Sequence, residues 1–143
     1  MAPSLRLNGE TEFGQRVQHR LAEEPTIWLT TTGRDGTPQP NPVWFVWDGE
    51  SFLIYNRAGA ARLKHIPSRP RVALNLDGNG QGGDIVVLTG RARIMEREPG
   101  SDRNPAYVAK YGERMRRVSG DAATFAQQYP VALRVWPDHV RGH

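Results

Sequence analysis

Near the start of the chain the apolar residues recur at helical spacing. Phe13, Val17, Leu21 and Ala22 share one stripe, with Gln15, Arg16, Gln18 and Arg20 on the wet side, which predicts a helix near residues 11–24. Pro25 ends it, because the proline ring pushes Glu24 out of the helical region. The β-branched and aromatic run TIWLTTT (26–32) reads as a strand, and GRDG (33–36) as a tight reversal. Pro38 and Pro40 alternate with Thr37, Gln39 and Asn41 as an extended polar edge, since prolines have no donor for a central ladder. The run PVWFVW (42–47) follows. As a regular strand it would turn Trp44 and Val46 to one face and Phe45 and Trp47 to the other, unless the prolines bulge it.

Asp48 and Gly49 form the next turn, before a strand at 51–55. A short helix over 60–66 is stopped by Pro67, and Val72, Leu74 and Leu76 alternate in a strand over 71–76. The glycines at 78, 80, 82 and 83 form a connection without the lysine and hydroxyl of a phosphate-binding P-loop. The strand at 84–95 is apolar on both faces, as in a barrel or an interface. A helix over 104–118, a shorter one capped by Asp121, and a closing strand near 131–136 complete the pattern, leaving His139 and His143 in a short polar tail. About six strands joined mainly by short turns give a mainly β, α+β chain, a small antiparallel barrel forming one domain over 1–143.

The 143 residues suit one domain, and the absence of cysteine removes thiolate nucleophiles, disulfides, iron-sulfur clusters and the common structural zinc sites. No stretch approaches the roughly 20 apolar residues that span a bilayer, and the first residues lack an apolar run of signal-peptide length. The expectation is a soluble, cytoplasmic protein without stable membrane insertion. Lys and Arg number 19 against 15 Asp and Glu, a net charge of +4. The excess concentrates in Arg57, Arg62, Lys64, Arg69 and Arg71, a window with no acid that suits an anion. A nucleic-acid partner is not expected, because the window is short and no recognition module accompanies it.

Acid-base, nucleophilic and metal chemistry are poorly supplied. Glu23 with Glu24, and Glu96 with Glu98, read as surface carboxylates; no serine sits in a nucleophile elbow; the four histidines make no zinc motif. No catalytic side chain and no metal ligand is therefore assigned. What remains is an anion site beside an aromatic, amide-rich segment. Arg62, Lys64 and His65, with the backbone N–H groups of residues 60–62, can meet a phosphate that the small residues 58–61, Ala61 among them, allow to come close. Gln39, Asn41, Pro42, Val43 and Trp44 offer amides and apolar surface to a flat heterocycle, and Tyr55, Asn56 and Arg57 join the two parts. Phosphate at one end and a planar ring at the other describe a flavin-like nucleotide, which carries the redox chemistry itself.

The runs LTTTGRDGTPQPNPVWF (29–45), ARLKHIPSRPR (61–71) and RVWPDHVRGH (134–143) resemble the pyridoxamine 5'-phosphate oxidase-like superfamily, in its branch that uses the deazaflavin coenzyme F420. The resemblance implies an FMN-binding-like split β-barrel, homodimeric, with a cofactor groove at each subunit boundary. It implies hydride transfer between F420 and a small organic acceptor such as an activated alkene or a quinone. Arg62 matches the basic residue that grips the cofactor phosphate, and residues 39–44 match the stretch that lines the ring. His65 stands where relatives often carry asparagine, and Ala60 where some carry a second basic residue, with Arg57 and Lys64 as substitutes in the clamp. The alternatives are an FMN-dependent oxidase or reductase on the same barrel, and a non-catalytic F420 carrier.

Overall fold

Helix α1 (Glu12–Glu23) starts where Thr11 Oγ1 accepts from the Gly14 N–H and ends where Pro25 holds Glu24 extended. This computed structural model describes residues 7–143. Gly14, Val17 and Leu21 form the buried stripe of α1. The hairpin of β1 (Ile27–Thr32) and β2 (Pro38–Val43) follows, with Ile27 opposite Val43 and Thr32 opposite Pro38. After it come β3 (Val46–Trp47), β4 (Phe52–Asn56), α2 (Arg62–His65), β5 (Arg71–Asn75) and β6 (Val86–Met95). A 3-10 turn at Ser101–Arg103 leads into α3 (Pro105–Ser119), α4 (Ala122–Gln128) and β7 (Val131–Gly142).

The strands form one antiparallel sheet in the order β2-β1-β5-β6-β7-β4-β3. Its two edges, β2 and β3, are joined through Trp44 and Phe45 alone. Val43 and Val46 are three residues apart, no more than about 11 Å of extended chain, so the sheet must curl until its edges face each other, as an open half-barrel. The proline-rich β2 occupies one edge, where a missing N–H costs no ladder bond. The run 42–47 is thus two strands with a bend, which makes seven strands among the described residues rather than about six. The bend still sends Phe45 and Trp47 to one side and Trp44 and Val46 to the other.

Inside the curl pack Val17, Leu21, Ile27, Leu29, Phe45, Phe52, Ile54, Leu74, Leu88 and Val135, all buried. A second cluster lies on the outer face, where Leu53, Tyr55 and Ala132 sit under Tyr107, Tyr111, Met115 and Phe125 of α3 and α4. Strand β4 is therefore buried on both faces. The closing strand runs six residues past the expected end at Trp136, to Gly142, so His139 pairs with Thr89 and belongs to no polar tail. Backbone pairing with the long β6 supplies the order that the polar sequence did not signal, and Ile85 and His143 exchange both backbone bonds at 2.9 and 3.1 Å. The register shifts between Thr89 and Gly90. A Cβ on Gly90 would lie 2.2 Å from the Trp136 carbonyl oxygen, so only glycine fits there.

Candidate functional site

The bend at Trp44 and Phe45 is held from α3. The Phe45 N–H donates to Tyr111 Oη at 2.8 Å, and that hydroxyl has Phe45 O at 2.8 Å and Pro25 O at 2.9 Å as acceptors for its single proton. Lys110 Nζ donates to Phe45 O at 3.0 Å and stands 3.7 Å from the centre of the Phe45 ring. Burial pushes the Tyr111 hydroxyl well above the usual phenol range, which keeps it a neutral donor, and lowers Lys110 to about 8. The bend thereby turns Trp44 outward, stacked on Tyr111 (4.9 Å between ring centres, planes 1° apart) and on Phe125 (5.2 Å, 10°).

Beside this stack lies a cavity of about 250 Å³. Pro42, Val43 and Trp44 form one wall, Tyr55 and Arg62 another, and Tyr107, Phe125 and Tyr129 the helical side. Tyr55 is fixed by donating to Pro99 O at 2.8 Å and by an edge-on contact with Tyr107. Burial raises the pKa of both these tyrosines, so both hold their protons at neutral pH.

Arg62 is the charged group of the cavity. Its Nε donates to Asn56 Oδ1 at 2.6 Å, and Asn56, itself fully buried, donates its amide to Ile54 O and Val131 O at 3.0 Å each. Asn56 therefore cannot rotate away without leaving buried polar atoms unpaired. Burial also lowers the guanidinium pKa, though an arginine remains charged at neutral pH. Among the described residues no carboxylate forms an ion pair with Arg62. A half-buried cation whose Nε is held by Asn56 and which has no carboxylate partner is a site that an anion stabilises.

Five of the sequence-predicted residues, Pro42, Val43, Trp44, Tyr55 and Arg62, line this one cavity, and Asn56 stands behind Arg62. Arg57 lies over the Tyr129 ring at 4.6 Å and donates to its hydroxyl at 3.1 Å. Gln39 and Asn41 are exposed on β2, and Ala61 and Lys64 are exposed around α2, outside the cavity lining. His65 turns toward β1, its Nδ1 3.0 Å from Thr31 Oγ1. The Ala60 N–H, expected to be free for an anion, is taken by Arg57 O, because a turn precedes α2. Tyr107, Tyr111, Phe125 and Tyr129 escaped the sequence reading. Their helical spacing signals only an apolar face, and the strand that this face meets is decided in three dimensions. Among the described residues no cluster of metal-ligating side chains occurs.

The family model described as pyridoxamine 5'-phosphate oxidase matches residues 13–142. A comparison with curated proteins gives no match. Among solved structures, an F420 reductase is 22% identical, with 86% of this chain and 94% of that one covered and a TM-score of 0.59. The heme storage protein HutZ of Vibrio cholerae is 17% identical over 96% and 95%, with a TM-score of 0.65. General stress protein 26 of Bacillus anthracis is 17% identical over 88% and 89%, with a TM-score of 0.66. At these identities the likeness is one of fold.

Proposed function

Because the chain belongs to the pyridoxamine 5'-phosphate oxidase family, we propose that it is an oxidoreductase that holds a flavin nucleotide, FMN in the first place, and reduces a small organic acceptor. The observation that carries this reading is Arg62, a half-buried guanidinium braced by the buried Asn56 with no acidic partner among the described residues, set in an aromatic cavity. The donor set fits a phosphate-bearing ring: Arg62 anchors the anion, with Arg57 and Lys64 adding positive charge at the α2 end. Pro42, Val43 and Trp44 present the ring with apolar surface, and the amides of Gln39 and Asn41 lie on the same strand to accept or donate hydrogen bonds at its rim. The bound flavin supplies the hydride chemistry, so the chain's residues bind, orient and exclude water. Tyr55 and Tyr107, protonated at neutral pH, add no negative charge beside Arg62. A homodimer, in which a second copy closes over the groove, is part of this proposal and is supported by the open half-barrel.

The second reading is coenzyme F420 in the same place, favoured by the resemblance of residues 29–45 and 61–71 to the F420-dependent branch. Titration of the purified protein with FMN and with F420, following tryptophan fluorescence, separates the two: saturable F420 binding without FMN binding replaces FMN by the deazaflavin. Arg62→Ala should weaken cofactor binding by about 1–3 kcal/mol, the worth of a charge-assisted contact. An unchanged affinity removes Arg62 from the clamp. Failure of the loaded, reduced protein to pass electrons to any of a panel of enones and quinones would leave a carrier in place of an enzyme.

A further inference from the structure

We propose that a second groove, reached by the end of α2 where the first cavity is reached by its start, binds a planar aromatic carboxylate. Strand β5 begins at Arg71, opposite Arg91, whereas β6 continues to Met95. Over its last four residues β6 therefore has β7 on one side and no strand on the other. The Ala92 N–H is met by Pro70 O at 2.9 Å. Backbone groups repeat their direction at every second residue of a strand, so the Ile94 N–H faces that same side, where β5 has no residue left to oppose it. The space is a groove of about 690 Å³, walled across from β6 by Ile66 and Pro67 at the end of α2.

Arg91 and Arg93 line the groove together with Trp136, and the Arg93 guanidinium lies 5.3 Å from the centre of the Trp136 ring. Of the acids nearby, Asp138 pairs with Arg71 and also feels the charge of Arg91, while Glu98 and Asp48 both hold Arg134. Among the described residues no carboxylate forms an ion pair with Arg91 or Arg93. The groove thus offers two guanidiniums and a backbone donor along one edge, an indole face, and an apolar floor of Ile66 and Ile94 with prolines. A bare inorganic anion would use the charges and leave the apolar floor wet, and a neutral ring would leave the charges unused. An aromatic ring bearing a carboxylate satisfies both.

Isothermal titration of the full chain with 2-naphthoate tests the assignment. Saturable binding at one ligand per chain is expected, at least tenfold weaker for the neutral 2-naphthylmethanol and for the double variant Arg91→Gln/Arg93→Gln, and unchanged by saturating FMN. Both arginines are exposed, so the variant should fold, and the neutral analogue tests the charge requirement on the unaltered protein. No saturable binding of 2-naphthoate, equal affinity for the neutral analogue, full affinity in the double variant, or displacement by FMN would each overturn the proposal. The first three leave the flavin reading untouched, and loss of FMN binding alone would leave this one standing.

Discussion

Tyr111→Phe removes one oxygen atom and keeps the ring, so it isolates the polar tie between α3 and the bend at Phe45. Tyr111 is fully buried, and its hydroxyl is the acceptor for the Phe45 N–H at 2.8 Å. Without it the Phe45 carbonyl keeps Lys110 Nζ at 3.0 Å, but the N–H, on a residue of zero exposure, is left without a partner. An orphaned buried donor costs about 1–3 kcal/mol. With a urea slope of about 2 kcal/mol/M, the middle of the range for a small domain, the unfolding midpoint should fall by about 0.5–1.5 M. Equilibrium unfolding followed by tryptophan fluorescence reads this directly, since Trp44 stacks on the altered ring. The same variant should weaken FMN binding, because the wall that carries Trp44 loses its fixed bend. A midpoint within 0.2 M of the parent, at unchanged slope, would show that α3 does not hold the bend through this hydroxyl.

Gly90→Ala should destabilise the fold by about 3 kcal/mol or more, read as a lower melting temperature, because its Cβ would meet backbone atoms of Trp136 and Pro137 that the paired strands cannot move cheaply. Arg20→Ala should cost about 2–3 kcal/mol, since Arg20 donates to the carbonyls of Asp77 and Asp84 and to the Glu24 carboxylate. Hydrogen exchange should then accelerate first across residues 77–85, which these bonds hold to α1. Lys110 has its pKa lowered to about 8 by burial, from 10.5, so between these values the unfolded chain holds more protons and stability rises with pH. Lys110→Met should remove that rise, which is at most about 1.4 kcal/mol per pH unit and is reduced by solvent reaching the half-buried ammonium. Parallel stability-versus-pH curves for parent and variant between pH 8 and 10 would contradict it.

What the sequence determined by itself was local. The 3.6-residue stripe of Val17 and Leu21, the stop at Pro25, the turn residues at 33–36 and 48–49, and the cap at Asp121 each act over a few residues, and each element they mark is present. The clustering of Arg57, Arg62 and Lys64 was visible for the same reason. The tertiary structure decided where charge goes unpaired and where strands outrun their neighbours. Arg62 and Lys64 look alike in the sequence, yet one is braced by a buried Asn56 and the other is exposed. Tyr111 has no visible claim to the site until the curl of the sheet brings Phe45, 66 residues away in sequence, within hydrogen-bonding distance. Likewise the polar end of β7 carries no strand signal, because its order comes from backbone bonds to β6 rather than from burial of its side chains. Such long-range pairings depend on the relative lengths and curvature of whole strands, and no window of neighbouring residues contains that information.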